Sequence, residues 1–188
     1  MITLILIGPV GVGKTTTARL LAERLALAYL ALDEMRWSYF KEIGFDPERQ
    51  QELGATQGIA AVLAYWEPFE IHALERVLAD HQAGVIDVGG GYTIVNDPAL
   101  AERVRRALAP YPYVFLLLPA PALDESIQTL ADRTAGLLPD AFPLRAHVER
   151  HFKTKELAKH VVYTLYKTPE AICDEILAIV RAGSAANV

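Results

Sequence analysis

The chain has 188 residues, 52% of them hydrophobic, which is enough for one buried core within the usual size of a single domain. Its formal charge of −5 provides no general attraction to nucleic acid, and no stretch approaches the ~18 uninterrupted apolar residues of a membrane span. The single cysteine, Cys173, excludes an internal disulfide and a cysteine-rich zinc site. We expect one cytoplasmic domain, 1–188, that binds neither nucleic acid nor membrane; its oligomeric state is not predictable.

Five short apolar runs alternate with helical patterns along the chain. A strand that is buried on both faces has no polar alternation, so this order predicts a parallel sheet with helices on both sides. The fold class is therefore α/β, a three-layer αβα arrangement in which ligands bind beyond the carboxyl ends of the strands. The predicted strands are residues 2–7, 29–32, 85–88, 113–118 and 160–163.

A phosphate-binding loop, or P-loop, follows the first predicted strand, where residues 8–15 match the pattern G-x-x-x-x-G-K-[ST]. Glycines in this loop let successive N–H groups face an anion, and the next helix points its positive end at the same place. Lys14 is expected to reach the β- and γ-phosphates of ATP, and Thr15 to bind Mg²⁺. The predicted nucleotide-binding residues here are Gly8, Gly11, Val12, Gly13, Lys14, Thr15 and Thr16.

Residues 34–81 exceed what is needed to connect two strands and predict a helical substrate-binding insert. Pro47 and Pro68 are interpreted as interruptions of the helical pattern. An apolar stripe runs through the insert, and we favour core packing over a ligand-facing wall for its members. The stripe consists of Val62, Leu63, Trp66 and Phe69.

The third strand ends in Asp87 and is followed by Gly89, Gly90 and Gly91. The three glycines fit a tight turn or the close approach of a substrate to bare backbone, and the two interpretations weigh equally. A carboxylate in an apolar strand needs a partner, so Asp87 is a candidate Mg²⁺ ligand; a salt bridge or a cap at the strand end is the alternative.

Residues 134–146 are rich in Pro, Gly and Ala and predict a mobile lid. On the helix that follows, His147 and His151 are i,i+4 neighbours. No third metal ligand is evident, so we favour a polar lid face over a metal site. Arg145 and Arg150 lie five apart and do not share one helix face. The end of the chain, 182–188, is expected to fray.

These motifs together resemble shikimate kinase and the small P-loop kinases that phosphorylate a metabolite hydroxyl. The phosphate loop matches the family, Asp33 matches the second acid of its D-x-D motif, and Gly89 to Gly91 match its triple glycine. Arg150 is similar in position to its last substrate-binding arginine. Arg133 resembles the arginine that covers adenine, and Thr164 and Thr168-Pro169-Glu170 resemble the adenine-side loop.

The resemblance implies a P-loop containing nucleoside triphosphate hydrolase fold with a lid, and the cofactors ATP and Mg²⁺. It implies catalytic roles for Lys14, Asp33 and Arg133, with Pro169 also on the nucleotide side. From the residues themselves, Asp33 can orient the acceptor hydroxyl and take its proton, or cap the helix that follows it. Arg133, Arg145 and Arg150 are candidates for neutralising the transferring phosphate, and the sequence does not rank them.

The chain departs from the family on the acceptor side. The first D-x-D acid falls at Ala31, and the arginine that clamps the substrate carboxylate has no counterpart in Glu67-Pro-Phe-Glu70. The lid motif Arg-Pro-Leu-Leu appears as Ala135-Gly-Leu-Leu138. Because a glutamate would repel an anion, shikimate is not the expected substrate. Arg36 is an alternative substrate contact or a solvated helix residue.

We therefore predict an ATP-dependent phosphotransferase that acts on a hydroxyl of a small molecule such as a sugar, an aminoglycoside-like molecule, a nucleoside or another antibiotic. A nucleoside or nucleotide kinase is one alternative, although the few arginines between Arg36 and Arg76 argue against a monophosphate acceptor. A nucleotide-binding regulatory ATPase without kinase activity is the other.

Overall fold

The computed structural model describes residues 2–185 and contains one five-stranded parallel sheet. Along the sheet the order is β2-β3-β1-β4-β5. The predicted α/β class with helices on both faces is confirmed. The strands are β1 (Thr3–Ile7), β2 (Tyr29–Ala31), β3 (Gly84–Asp87), β4 (Val114–Leu118) and β5 (His160–Tyr163).

In the described part of the chain, seven α-helices and one 3₁₀ turn lie between the strands, and an eighth α-helix follows β5. The helices are α1 (Lys14–Leu25), α2 (Leu32–Glu42), α3 (Pro47–Gln57), α4 (Ile59–Asp80), α5 (Pro98–Leu108), α6 (Leu123–Thr134), α7 (Leu144–Lys153) and α8 (Pro169–Ala185); the 3₁₀ turn is Thr154–Leu157. Within the described residues, none of these helices combines the length and apolarity required to cross a membrane.

The sheet separates two hydrophobic cores. Ile5 and Ile7 of β1 face the core formed with α2, α4 and α5, whereas Leu4 and Leu6 face the core formed with α1 and α8. Successive side chains of a strand point to opposite faces, so a strand covered on both sides must be apolar throughout. This requirement explains the continuous apolar runs and places the functional residues just beyond the ends of the strands.

The insert between β2 and β3 differs from its prediction at Pro68. Pro47 does begin a helix, at the first turn of α3, where Asp46 accepts hydrogen bonds from the N–H groups of Glu48 and Arg49. Pro68, by contrast, lies inside the continuous 22-residue α4. Proline removes only the hydrogen bond to the Ala64 carbonyl, and packing of the buried face of α4 maintains the helix.

Two expectations concern the second half of the chain. α8 extends to Ala185, so 182–185 are helical, while 186–188 lie outside the described residues; fraying of this end stays a prediction. The predicted lid overlaps the end of α6, the turns at 135–143 and the start of α7. Its motion stays a prediction.

Candidate functional site

The P-loop connects β1 to α1 through three glycines with positive φ angles: 144° at Gly8, 77° at Gly11 and 101° at Gly13. Residues that carry a side chain rarely adopt a positive φ. A Cβ at Gly8 would also overlap the Leu117 carbonyl oxygen of β4. Gly13 immediately precedes α1 as its N-cap residue. The loop therefore curls its backbone around the N-terminus of α1, the geometry expected for phosphate binding.

Lys14 is buried at the centre of this loop. Its Nζ donates hydrogen bonds to the carbonyl oxygens of Gly8 at 2.8 Å and Pro9 at 3.0 Å. Burial lowers the pKa of Lys14, and the nearby carboxylates of Asp87 and Asp33 partly oppose this effect. Two backbone carbonyls thus hold the ammonium group inside the loop.

Asp87 at the end of β3 accepts a hydrogen bond from the Thr15 hydroxyl at 2.6 Å and another from the Tyr29 hydroxyl at 3.3 Å. Burial raises its pKa, while the Thr15 hydrogen bond and the Lys14 charge act in the opposite direction. Asp87 is aligned with Ala31 in the register of β3 and β2. The Asp87 carboxylate therefore lies beside Ala31, the position at which the family has its first D-x-D acid.

Two cavities meet at the carboxyl ends of the strands. A phosphate cavity of about 300 Å³ is lined by the P-loop together with Asp33 and Asp87. A larger cavity of about 500 Å³, called the large cavity below, extends from it between α2, α4 and α7. Both are lined by Val10, Asp33 and Gly90. The large cavity is further lined by Arg36, Leu63, Trp66, Glu67, Glu70, Gly91, His147 and Arg150.

Asp33 lies in the first turn of α2, where the N-cap residue is Ala31 and no side chain caps the helix. The helix-cap interpretation of Asp33 is therefore wrong, and its carboxylate is exposed where the two cavities join. One Asp33 oxygen lies 3.3 Å from an Arg36 guanidinium nitrogen.

The Arg36 side chain is only 19% exposed and lies 4.6 Å from the Trp37 ring centre and 4.7 Å from that of Trp66. The solvated alternative for Arg36 is therefore wrong as well. Because the aromatic rings restrict the guanidinium, Arg36 is a rigid neighbour for the Asp33 carboxylate.

The triple glycine is required for space, since none of the three glycines has a positive φ. A Cβ at Gly89 would overlap the Asp33 carboxylate, and one at Gly91 would lie 2.7 Å from both carboxylate oxygens of Glu70. At Gly90 a Cβ would lie 3.3 Å from the His147 ring. Protein side chains thus crowd this turn, and two of them are the acids of the large cavity.

The α4 stripe divides between core and cavity. Val62 and Phe69 are buried, as predicted, but Leu63 and Trp66 line the large cavity, so core packing is the wrong interpretation for those two. Sequence periodicity shows that residues share a face but not what that face contacts.

Two glutamates follow Trp66 along the same helix. The Glu67 carboxylate accepts hydrogen bonds from the side-chain amide and the backbone N–H of Asn96, the latter at 3.2 Å. One Glu67 oxygen lies 3.9 Å from an Arg150 guanidinium nitrogen. Glu70 is 7% exposed, and burial raises its pKa to about 8. The sequence marks Glu70 only as the end of the segment 67–70 that lacks the family's arginine; the signal for more was a charged residue beside an apolar stripe.

α7 contacts the P-loop through two histidines. His147 Nε2 accepts a hydrogen bond from the Val10 N–H at 3.2 Å, and His151 Nε2 donates one to the Gly90 carbonyl at 2.9 Å. Both rings are buried, and burial lowers the pKa of His147 to about 4. The polar lid face is therefore wrong for this pair. Among the described residues, no group of three or more His, Cys, Asp or Glu is arranged to hold a metal ion.

The candidate arginines separate in space. Arg150 lines the large cavity and donates a hydrogen bond to the Ile94 carbonyl. Arg145 is exposed, 3.2 Å from Asp124. Arg133 donates a hydrogen bond to the Thr164 hydroxyl at 3.3 Å and lines neither of the two cavities, while Pro169 opens α8. Their roles stay predictions.

No family model matches the chain. A shikimate kinase of Saccharopolyspora erythraea is 32% identical over 190 aligned positions, which cover 97% of this chain and 96% of that protein. The structure of shikimate kinase from Aquifex aeolicus has a TM-score of 0.66 at 20% identity and covers 97% of this chain and 98% of its own. A gluconokinase structure from Sinorhizobium meliloti has a TM-score of 0.61 at 16% identity, and the match covers 99% of this chain and 95% of that protein.

The two structural comparisons concern the fold alone, whereas the sequence relationship extends over nearly the entire length of both proteins. The resemblance inferred from the P-loop, Asp33 and the triple glycine is thereby confirmed. The chain belongs to the shikimate kinase family of ATP-dependent small-molecule kinases.

Proposed function

We propose that the protein transfers the γ-phosphoryl group of ATP to a hydroxyl of a small molecule other than shikimate, bound in the large cavity. The observation that carries this proposal is the junction of the two cavities at Val10, Asp33 and Gly90. A phosphate site and an adjoining acceptor-sized cavity that share one carboxylate have the arrangement that phosphoryl transfer requires.

On the donor side, Lys14 and the P-loop N–H groups hold the β- and γ-phosphates. The oxygens of Thr15 and Asp87 fit Mg²⁺, a cation that prefers oxygen ligands and takes the rest of its coordination from phosphates and water. Bound there, Mg²⁺ would neutralise charge on the phosphates. The register of Asp87 beside Ala31 supports this assignment. Arg133 and Pro169 belong to the adenine side of the proposal.

On the acceptor side, Asp33 faces the hydroxyl that is phosphorylated. The hydroxyl oxygen forms a bond to the γ-phosphorus, the bond from that phosphorus to the bridging oxygen of ADP breaks, and the hydroxyl proton passes to the Asp33 carboxylate. Arg36 fixes that carboxylate, and Gly89 to Gly91 and Arg150 complete the wall around the acceptor.

The charges of the large cavity argue against a carboxylate or phosphate on the acceptor. Glu67 and Glu70 occupy α4 where the family's carboxylate-clamping arginine has no counterpart here. Neither glutamate supplies the positive partner that the carboxylate of shikimate or the phosphate of a nucleoside monophosphate needs, and any ionised fraction of Glu70 would repel these groups. The cavity of about 500 Å³ beside Asp33 favours a kinase with a small-molecule acceptor over a regulatory ATPase.

The experiment is an ATP-consumption screen with sugars, aminoglycosides, nucleosides and other antibiotics, with shikimate and nucleoside monophosphates as controls. We expect an acceptor without a carboxylate or phosphate to stimulate turnover. Lys14→Ala should abolish transfer and retain the folded circular dichroism spectrum.

Asp33→Asn should lower kcat roughly 100-fold or more because the proton acceptor is lost, with little change in the Kd of ATP. Preferential turnover of shikimate or of a monophosphate would overturn the substrate class. ATP hydrolysis that no acceptor stimulates and Asp33→Asn does not alter would instead identify a regulatory ATPase.

A further inference from the structure

Glu70 places a carboxyl group without a protein partner in the wall of the large cavity. The residue is 7% exposed, and within the described residues its carboxyl forms no hydrogen bond or ion pair. Proteins normally pair a buried carboxylate, because leaving it unpaired costs free energy. An unpaired acid that lines a cavity is therefore available to a ligand.

The other charged groups around the cavity are already paired. Asp33 is 3.3 Å from Arg36, and Glu67 is 3.9 Å from Arg150. Burial lowers the pKa of His147 to about 4, so this cavity residue adds no positive charge near neutral pH. Three acids thus face two arginines, and the surplus acid is Glu70.

The triple-glycine turn relates Glu70 to the proposed reaction centre. Asp33 packs against Gly89, and Glu70 packs against Gly91. Two residues of backbone span at most about 7 Å, so the positions that the two acids contact are close enough for one sugar-sized molecule to reach both. A single small molecule can place one substituent at Asp33 and another at Glu70.

We propose that Glu70 determines specificity for an acceptor that carries an ammonium group, so that the substrates are amino alcohols of the aminosugar or aminocyclitol class. The ammonium group pairs with the Glu70 carboxylate while a hydroxyl of the same molecule lies against Asp33. This inference rests on the proposed function, and it narrows the acceptor to cationic molecules. Neutral sugars are the alternative that the experiment must distinguish.

The test compares binding of matched amine and hydroxyl compounds by calorimetry at pH 7.5: glucosamine with glucose, galactosamine with galactose, and 2-deoxystreptamine with myo-inositol. We expect the amine to bind at least 10-fold more tightly than its partner in one or more pairs. Glu70→Gln keeps the side-chain shape and removes the charge, so it should reduce this preference at least 10-fold. Glu67→Gln, whose carboxyl is already paired, is the matched control and should change the preference much less.

A second readout is proton release. The pKa of Glu70 is raised to about 8, first by burial and further by Asp33 and Glu67, with Arg36 opposing; Arg150 and His147 face the cavity from α7. An ammonium group that pairs with Glu70 expels its proton, while any neutral fraction of the amine takes up a proton on binding in either protein. The dependence of the heat of binding on the ionisation enthalpy of the buffer should therefore show more protons released in the wild type than in Glu70→Gln with the same ligand.

The possible failures are distinguishable. The role of Glu70 is overturned if no pair shows an amine preference, or if the preference survives Glu70→Gln. In that case, phosphorylation of a neutral acceptor would still support the kinase proposal. If no acceptor stimulates ATP turnover, the proposed function fails whichever compounds bind.

Discussion

At the scale of single residues, the metal chemistry of the site depends on one carboxylate. Ala31 replaces the family's first acid on β2, and Asp87 lies next to it in register on β3. Aligned positions on neighbouring strands point to the same face of a sheet, so the charge is available at nearly the same place. The 2.6 Å hydrogen bond to Thr15 joins the two proposed Mg²⁺ ligands.

We predict that Asp87→Asn raises the Mg²⁺ concentration for half-maximal turnover about 10-fold or more. The amide can still accept the Thr15 hydrogen bond, but it lacks the charge that a hard cation prefers. Steady-state kinetics across a Mg²⁺ titration measures the effect. Asp33→Asn is the control, with a lower kcat and an unchanged Mg²⁺ requirement. A titration for Asp87→Asn that superimposes on the wild type would make Asp87 a structural residue.

At the scale of elements, the triple-glycine turn is where the site is assembled. Gly89 touches Asp33 of α2, Gly90 lies between the P-loop and His147 of α7, and Gly91 contacts Glu70 of α4. Three elements that are distant in sequence reach the same short segment after β3. The absence of side chains in the turn allows these elements to bring their functional groups within one small volume.

We predict that Gly89→Ala lowers kcat about 10- to 100-fold, because a misplaced catalytic group slows a reaction strongly. The new Cβ would lie 2.6 Å from Tyr92 Cε2 and would overlap the Asp33 carboxylate, which must move. The buried Tyr92 ring must shift as well, so some stability is lost, and circular dichroism should establish that the variant is folded before its kcat is compared.

Gly90→Ala is the matched control for this prediction. Its nearest neighbours would be at 3.3 Å, so a small adjustment suffices. Measurement of kcat and ATP affinity for both variants gives the comparison, and equal losses would show that Asp33 is not displaced.

The strands were predictable almost to the residue, for a clear physical reason. β1 and β4 are buried on both faces, so their sequences are apolar except for Thr3, and Gly8 follows β1 directly. The P-loop was predictable because its chemistry depends on local spacing alone. Asp87 was recognisable because a carboxylate interrupts an otherwise apolar strand.

The remainder of the site depends on contacts between distant elements. His147 and His151 have the spacing of an exposed polar face, yet both are buried against the P-loop and Gly90 because α7 packs there. Trp66 has the period of a core residue and lines a cavity. Pro68 signals a helix end, but packing overrides that local preference.

At the scale of the whole molecule, an unpaired acid in the large cavity reduces the stability of the fold. Folding raises the pKa of Glu70 from 4.5 to about 8. Between pH 4.5 and pH 8, Glu70 of the folded protein therefore retains a proton that it has lost in the unfolded chain. The unfolded state then binds fewer protons, and the free energy of unfolding falls as the pH rises. A residue kept for ligand binding at the expense of stability is common at functional sites.

We therefore predict that Glu70→Gln stabilises the ligand-free protein at pH 8, by on the order of 1–3 kcal/mol, and changes its stability little at pH 4, where the acid is neutral in both states. In a chain of this length the gain corresponds to a rise in Tm of several degrees. Thermal unfolding of the wild type and the variant at both pH values measures this change in stability.

Glu67→Gln is the control, and it should not stabilise the protein because the Glu67 carboxyl is hydrogen-bonded to Asn96. A lower Tm for Glu70→Gln at pH 8 would mean that the Glu70 charge has a stabilising partner in the folded protein, and the carboxyl would then be unavailable to a substrate.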